Sequence, residues 1–357
     1  MFTPSKRPTI KEVAAAAGVS TQTVSRVVNA RPDVSDETRQ RVQHIIEELG
    51  YQPSALARSL IQQRSYTLGV VIAGLKFVGP SRTLNGITSA AEDAGYSLLL
   101  KELPHFHAND IVPIIDALKA RHVDGIIWAV PEIGDNRSWV MDWSIEFSIP
   151  VIYLTMEPKE GISVVSLNNY LGGRLAMNHL IQQGYKNIGH IAGPLDWWES
   201  RQRFSAWKDC LKEAGYERSD KNYVEGNWSS SSGLTAINKL FQQYPNMDAV
   251  FAGNDQMALS VLHYANQKGI RIPEDLGVVG FDNIPEGEFF WPPLTSIQQE
   301  FHHIGTVAVQ EMLKAIEANR KNDLVEARTI MLSPSLVVRE SSLRLKEVQP
   351  RSSVKKP

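Results

Sequence analysis

Apolar and polar positions divide this chain into a short helical head and a long alternating body. Near the N-terminus Ile10, Val13, Ala14 and Ala17 recur at i, i+3, i+4 and i+7, one buried helical stripe. Thr9 and Glu12 form a T-x-x-E capping box at its start. Gly18 stands where a helix end needs positive φ, and Ser20 can cap a second helix. There Val24, Val27 and Val28 point inward. A third helix is predicted from Ser35, with Asp36 and Glu37 in its first turn and Val42, Ile45, Ile46 and Leu49 as its apolar stripe, ended by Gly50. Pro53 breaks the pattern. Ser54–Gln62 follows as a short helix with Leu56 and Leu60 on one side, below the roughly 12–15 residues an isolated helix needs in water.

From Thr67 onward short apolar runs alternate with helical segments. Strands are predicted at Leu68–Ala73, Ser97–Leu100, Gly125–Trp128, Pro150–Leu154, Val164–Leu167, Ile188–Ala192, Ala249–Ala252 and Leu276–Gly280. Helices are predicted at Leu84–Ala94, Asp110–Arg121, Gly172–Gln183, Arg201–Ala214, Gly233–Gln243 and Met257–Lys268. Such alternation means parallel, doubly wound sheets. Its repetition on either side of roughly residue 165 suggests two similar lobes, and two such lobes can close on a small molecule.

Charge sharpens the division. Residues 1–66 hold nine basic and six acidic side chains, a net of +3, whereas the whole chain is −2, which leaves −5 on the remainder. A basic head on an acidic body suits phosphate contact at one end. The single cysteine, Cys210, excludes an internal disulfide framework and reads as a buried packing residue. No apolar run reaches membrane-span length, and the N-terminal residues lack the apolar core of a signal peptide; a cytoplasmic protein without membrane partners is expected.

The second helix carries the most telling chemistry. Gln22, Ser25, Arg26 and Asn29 form an outward stripe with Thr21 beside it. Gln and Asn can pair with adenine, Arg with guanine, and Thr can offer its methyl to thymine. With a turn and a packing helix before it, this stripe fits a DNA-reading helix-turn-helix. The candidate DNA contacts also include Thr9 and Ser20 at the two helix starts. In the body, polar residues gather just past strand ends: residues 193–203 with Trp197, Trp198 and Arg203, residues 253–256 with Asn254, and Asp282 after residues 276–280. Ligands of open α/β sheets bind outside the carboxyl ends of the strands. Paired donors and acceptors with flat aromatics, Trp228 among them, suit a carbohydrate. Asn254 could equally cap the following helix, and Trp228 could be core.

The runs GVSTQTVSRVVN, VSDETRQRV and ELGYQPSALARSL resemble the head of the lactose-repressor (LacI/GalR) family. HIAGPLDWWESRQRFSAW, EGNWSSSSG, AGNDQMAL, VVGFDNIP and PPLTSIQQEF are similar to successive signatures of that family's inducer-binding core. The resemblance implies a three-helix head over residues 1–52 and a hinge helix and linker over 53–65. A periplasmic-binding-protein-like core would span 66–342, and a flexible tail 343–357. Lobe 1 would hold about 66–165 and 295–326, lobe 2 about 166–294 and 327–342. The hinge helix would pair with its dimer mate on DNA and push Leu60, with Ala57 beside it, into the minor groove. Arg203, Asn254 and Asp282 would hydrogen-bond sugar hydroxyls, Gln299 would reach in, and Phe77, Trp197, Trp228 and Phe301 would line or stack in the pocket. At the periphery Thr155 replaces an aspartate, Ala129 an asparagine, Glu199 a serine and Trp197 a small residue.

The expected protein is a homodimeric repressor of carbohydrate-utilisation genes, bound to a pseudo-palindromic operator in double-stranded DNA and released by a saccharide, a galactoside or another glycoside. No cofactor, metal or catalytic residue is expected. The tail has no leucine heptad to build a tetramer. A corepressor with the opposite sign stays open, as do two rivals: a transport receptor, disfavoured by residues 9–29, and a sugar enzyme. His105 and His107 form an H-x-H in a polar loop without acidic or cysteine partners, so a metal site there is disfavoured.

Overall fold

The computed structural model describes residues 8–29, 31–52, 64–106, 111–141, 147–216, 219–324 and 326–344. Ala57, Leu60, His107 and the tail from residue 345 lie outside them. The described residues fall into two compact units, divided between Tyr66 and Thr67.

The first unit is a three-helix cluster. Helix α1 (Ile10–Ala17) begins at the Thr9–Glu12 capping box: the Thr9 N–H donates to Glu12 Oε2 at 2.6 Å, and the Glu12 N–H returns to Thr9 Oγ1 at 3.4 Å. Gly18 closes it at φ +66°. Ser20 starts α2 (Thr21–Val28) by accepting from the Thr23 N–H at 3.1 Å. Helix α3 (Asp36–Leu49) begins at Ser35 and ends at Gly50. Val13, Ala14, Ala17, Val24, Val27 and Val42 make the core, with Val28, Ile45 and Ile46 packed at its edge.

The second unit contains two six-stranded sheets. The first runs β2–β1–β3–β4–β5–β11, with β1 Thr67–Ala73, β2 Ser97–Leu103, β3 Gly125–Ala129, β4 Val151–Leu154, β5 Ser163–Leu167 and β11 Thr329–Leu332. The second runs β7–β6–β8–β9–β10–β12, with β6 Ile188–Ala192, β7 Tyr223–Glu225, β8 Ala249–Ala252, β9 Gly277–Asp282, β10 Thr295–Gln298 and β12 Ser335–Val337. Both have the doubly wound order, reversing between β1 and β3 and between β6 and β8, where a crevice opens. All neighbours are parallel except the β10–β12 pair.

The helices are α4 (Val78–Asp93), α5 (Val112–Lys119), α6 (Asn169–Gln182), α7 (Trp198–Glu213), α8 (Ser230–Gln243), α9 (Asp255–Lys268) and α10 (Phe301–Arg320). Several start earlier than the apolar pattern predicts. Asn168 accepts from the Leu171 N–H, Ser229 from the Ser232 N–H and Asn254 from the Met257 N–H, so polar residues that read as loop are caps and first turns.

The chain passes between the sheets three times, after β5, after β10 and after β11. This corrects the expected lobe boundaries. Residues 295–298 belong to the second sheet, because Thr295–Gln298 pairs with Val279–Asp282, and β11 belongs to the first, on β5. Helix α10 then packs along α4 so closely that a Cβ at Gly86 would lie 2.0 Å from the His302 carbonyl oxygen. Backbone cannot yield as a side chain tip can. We therefore expect Gly86→Ala to destabilise the body by about 1–3 kcal/mol, the range for overpacking. Urea unfolding of the variant checks this; an unchanged midpoint would refute the contact.

Candidate functional sites: an exposed reading helix and an interlobe cavity

On α2 Thr21, Gln22 and Arg26 are exposed and Ser25 is half-buried. Arg26 makes a surface ion pair, Nε to Asp33 Oδ2 at 3.4 Å, which is cheap to exchange for another acceptor. Thr9 and Ser20 are exposed, and both hydroxyls already serve as caps. Asn29 differs from the expected outward stripe. It is half-buried at the helix C-terminus, its amide turned back to the Ser25 carbonyl at 2.8 Å.

Between the two sheets lies a cavity of about 610 Å³, mid-range for small-molecule sites of ~300–1,000 Å³. Phe77, Trp197, Arg203, Trp228, Asn254, Asp282, Gln299 and Phe301 all line it, as do Ala129, Thr155 and Glu199. They come from the ends of β1, β3, β4, β6, β8 and β9 and from the crossing segments, where the doubly wound topology places a crevice.

Arg203 organises the polar part. It is buried, 6 % exposed, one turn into α7. Its Nε donates to Asn169 Oδ1 at 2.9 Å, an Nη donates to the Gly253 carbonyl, and Nη2 stands 3.8 Å from Asp282 Oδ1. The guanidinium carbon lies 3.8 Å from the centre of the Phe281 ring and 5.4 Å from that of Trp228. Gln299 Nε2 donates to the same Asp282 oxygen at 2.8 Å. Burial lowers the Arg203 pKa and raises that of Asp282, and each charge opposes the other's shift. Asp282, Trp228 and Thr155 adopt φ of 103°, 72° and 49°. Three cavity residues in the left-handed region mark backbone held by its surroundings at a site.

Both local roles weighed for Asn254 and Trp228 hold alongside the cavity position. Asn254 Oδ1 caps α9, and Nδ2 donates to the Trp228 carbonyl at 2.9 Å and to Gln256 Oε1 at 3.0 Å. Only one acceptor lone pair is then left for a ligand hydroxyl. Trp228 is 8 % exposed and packs over Gly193, where a Cβ would meet the indole at 2.1 Å.

Aromatic rings span the gap between the lobes. Trp197 meets Phe77 edge-on at 5.7 Å, Phe106 at 4.9 Å and Trp228 at 5.7 Å. Beside them the two lobes join through main chain: Ile133 bridges Trp197, the Gly134 N–H donates to the Asp196 carbonyl at 2.7 Å, and the Trp198 N–H to that of Glu132 at 3.0 Å. Sequence reasoning missed Asn169 and Phe106. Asn169 had a usable signal, its place two residues past a strand end; Phe106 sits in a polar loop and had none.

Helix, turn and exposed reading face, with a two-lobed body around a polar and aromatic cavity, define a DNA-binding regulator with a small-molecule site. The comparisons agree. Residues 9–54 match the bacterial regulatory proteins of the lacI family, and residues 177–342 match the periplasmic binding protein-like domain. The chain is 32% identical over 333 residues to the HTH-type transcriptional repressor PurR of Vibrio atlanticus (strain LGP32), covering 93% of this chain and 98% of that one. It is 32% identical over 348 residues to the HTH-type transcriptional regulator CelR of Thermobifida fusca, covering 94% and 98%. Among solved structures, a lac repressor dimer bound to operator and the anti-inducer ONPF superposes with a TM-score of 0.82 at 29% identity, over 95% of this chain and 100% of that one. A CelR–cellobiose complex gives 0.68 at 30% identity, over 94% and 100%. The chain belongs to the lacI family of bacterial regulatory proteins.

Burial pushes the Glu199 carboxyl up to about 7, and burial with the neighbouring Asp282 charge does the same for Asp255. Each of these carboxyls contributes stability that is lost as pH rises from the ordinary carboxylate range to pH 7, whereas buried His190, lowered to about 4, contributes stability that is gained over much of the same window. We expect Glu199→Gln to remove one falling contribution, so that its unfolding free energy rises relative to that of the unsubstituted protein from about pH 5 to 7.5. Equal slopes in the two proteins would show that Glu199 titrates as it does in the unfolded chain.

Proposed function

We propose that this protein is a transcriptional repressor that reads an operator through α2 and is released from it by a saccharide bound between the lobes. Thr21, Gln22, Ser25 and Arg26 would meet base edges, with Thr9 and Ser20 at the helix starts. Asn29 would contribute only by giving up its bond to Ser25. Ala57 and Leu60 would serve a hinge over residues 53–65. As a homodimer it would place one head on each half of a pseudo-palindromic site, as two-fold symmetry requires.

The observation that carries the effector reading is the convergence of all eight expected ligand residues on one interlobe cavity. Arg203, Asp282 and Gln299 supply directional polar groups, and Phe77, Trp197, Trp228 and Phe301 supply flat apolar ones, the mixture a sugar ring presents in return. The cellobiose of the CelR complex points the same way. A ligand touching both lobes and the crossing residues Asn169, Gln299 and Phe301 can favour one lobe arrangement over another. Only that differential affinity can shift operator binding.

Gel-shift titration of an operator fragment at fixed salt tests the reading. We expect Gln22→Ala to weaken operator binding without lowering the melting temperature, because its exposed side chain has no packing role. A base contact of this type is worth about 1–3 kcal/mol. We expect Arg203→Lys, which keeps the charge and loses the planar fork, to retain operator binding and lose release by sugar. Operator affinity indifferent to every saccharide that binds would overturn the effector reading.

A further inference from the structure

Two polar atoms of cavity-lining residues have no hydrogen-bond partner among the described residues: Glu199 Oε2 and the indole N–H of Trp228. Neither atom has accessible surface in this structure, so a ligand reaches it only when the side chain turns toward the cavity, and there each would gain the hydrogen bond it lacks. Glu199 lies in the first turn of α7, four residues before Arg203, so both side chains project from one helix face.

Most groups around Glu199 are engaged elsewhere, the exception being the Arg137 Nε–H, which also has no hydrogen-bond partner among the described residues. Arg203 is committed to Asn169, Gly253 and Asp282. On the facing loop after β3, buried Arg137 gives its Nη atoms to the Leu154 carbonyl and Met156 Sδ, both at 3.0 Å. Glu132 on the same loop accepts from the Glu157 N–H at 2.9 Å and approaches Arg201 at 3.7 Å. Across the cavity Thr155 and Ala129 add no charge, and Lys76 is the one basic lining residue besides Arg203. At about pH 8, above the raised value of about 7, the Glu199 carboxyl is ionised and can only accept hydrogen bonds, and a second anion beside it would be repelled in a poorly solvated site.

We propose that Glu199 is a specificity-determining residue. Its open carboxylate oxygen accepts a hydrogen bond from a hydroxyl of a neutral saccharide and rejects sugars that carry a carboxylate or phosphate there. This deepens the saccharide reading above and rests on it.

Titration calorimetry on the full chain at about pH 8, where the Glu199 carboxyl is ionised, tests the choice, with glucose, galactose, cellobiose and lactose against glucuronate, galacturonate and glucose 6-phosphate. We expect a neutral sugar to bind at least about tenfold more tightly than its anionic counterpart, an effect of one to two hydrogen-bond energies. Glu199→Gln and Glu199→Ser should each narrow that ratio by about tenfold, with operator binding retained as proof of folding. A purely structural role would weaken neutral and anionic sugars alike. If a neutral sugar binds and both variants leave the ratio unchanged, the inference fails and the saccharide reading stands. If none of the seven compounds binds, the saccharide reading fails and takes this inference with it.

Discussion

The body depends on a buried guanidinium. Arg203 can sit inside the protein only because Asn169, the Gly253 carbonyl and Asp282 take its hydrogens and the Phe281 and Trp228 rings face its plane. Two of those ties lead straight to the chain crossings: Asn169 begins α6 after the first, and Gln299, bonded to Asp282, lies in the second. Removing one member of such a pair leaves an uncompensated charge and costs about 3–5 kcal/mol. A ligand that competes for these same groups therefore acts on the segments that set how the lobes meet. The site and the crossings between lobes share residues, which is the simplest physical basis for coupling cavity occupancy to the arrangement of the lobes.

Much of this was legible in the chain. The valines of α2 and their polar neighbours announce a reading helix through spacing alone, because i, i+3, i+4 periodicity separates a buried face from an exposed one. Strand ends at Ala192, Ala252 and Asp282 located the cavity, since parallel sheets place ligands there. Helix starts were harder. Trp198, Ser230 and Asp255 open their helices with polar or aromatic residues that read as loop, because first turns at a binding site are chosen for ligand contact as well as for burial. The swap of β10 and β11 between sheets was invisible for another reason: pairing partners far apart in sequence decide it. The same holds for Trp197 against Phe77 and Phe106, a contact between segments about a hundred residues apart.

The exchanged positions give this member its own character. Thr155 and Ala129 leave one wall of the cavity without charge, and Trp197 and Glu199 bring an aromatic ring and a carboxyl to the other. Trp197 also carries the main-chain bridge to Ile133. One residue thus joins the ring cluster to the backbone contact between lobes, so ligand shape and lobe closure are read at the same place.

The central claim is that saccharide binding and operator binding are linked through one body. Linkage must be reciprocal: if the sugar weakens operator affinity by some factor, the operator must weaken sugar affinity by the same factor. Sugar dissociation constants measured by calorimetry on the full chain, with and without saturating operator duplex at one salt concentration, test this most directly. The account predicts weaker sugar binding on the operator complex, by the factor seen when sugar is titrated against operator affinity. Equal sugar affinity in the two states would contradict it.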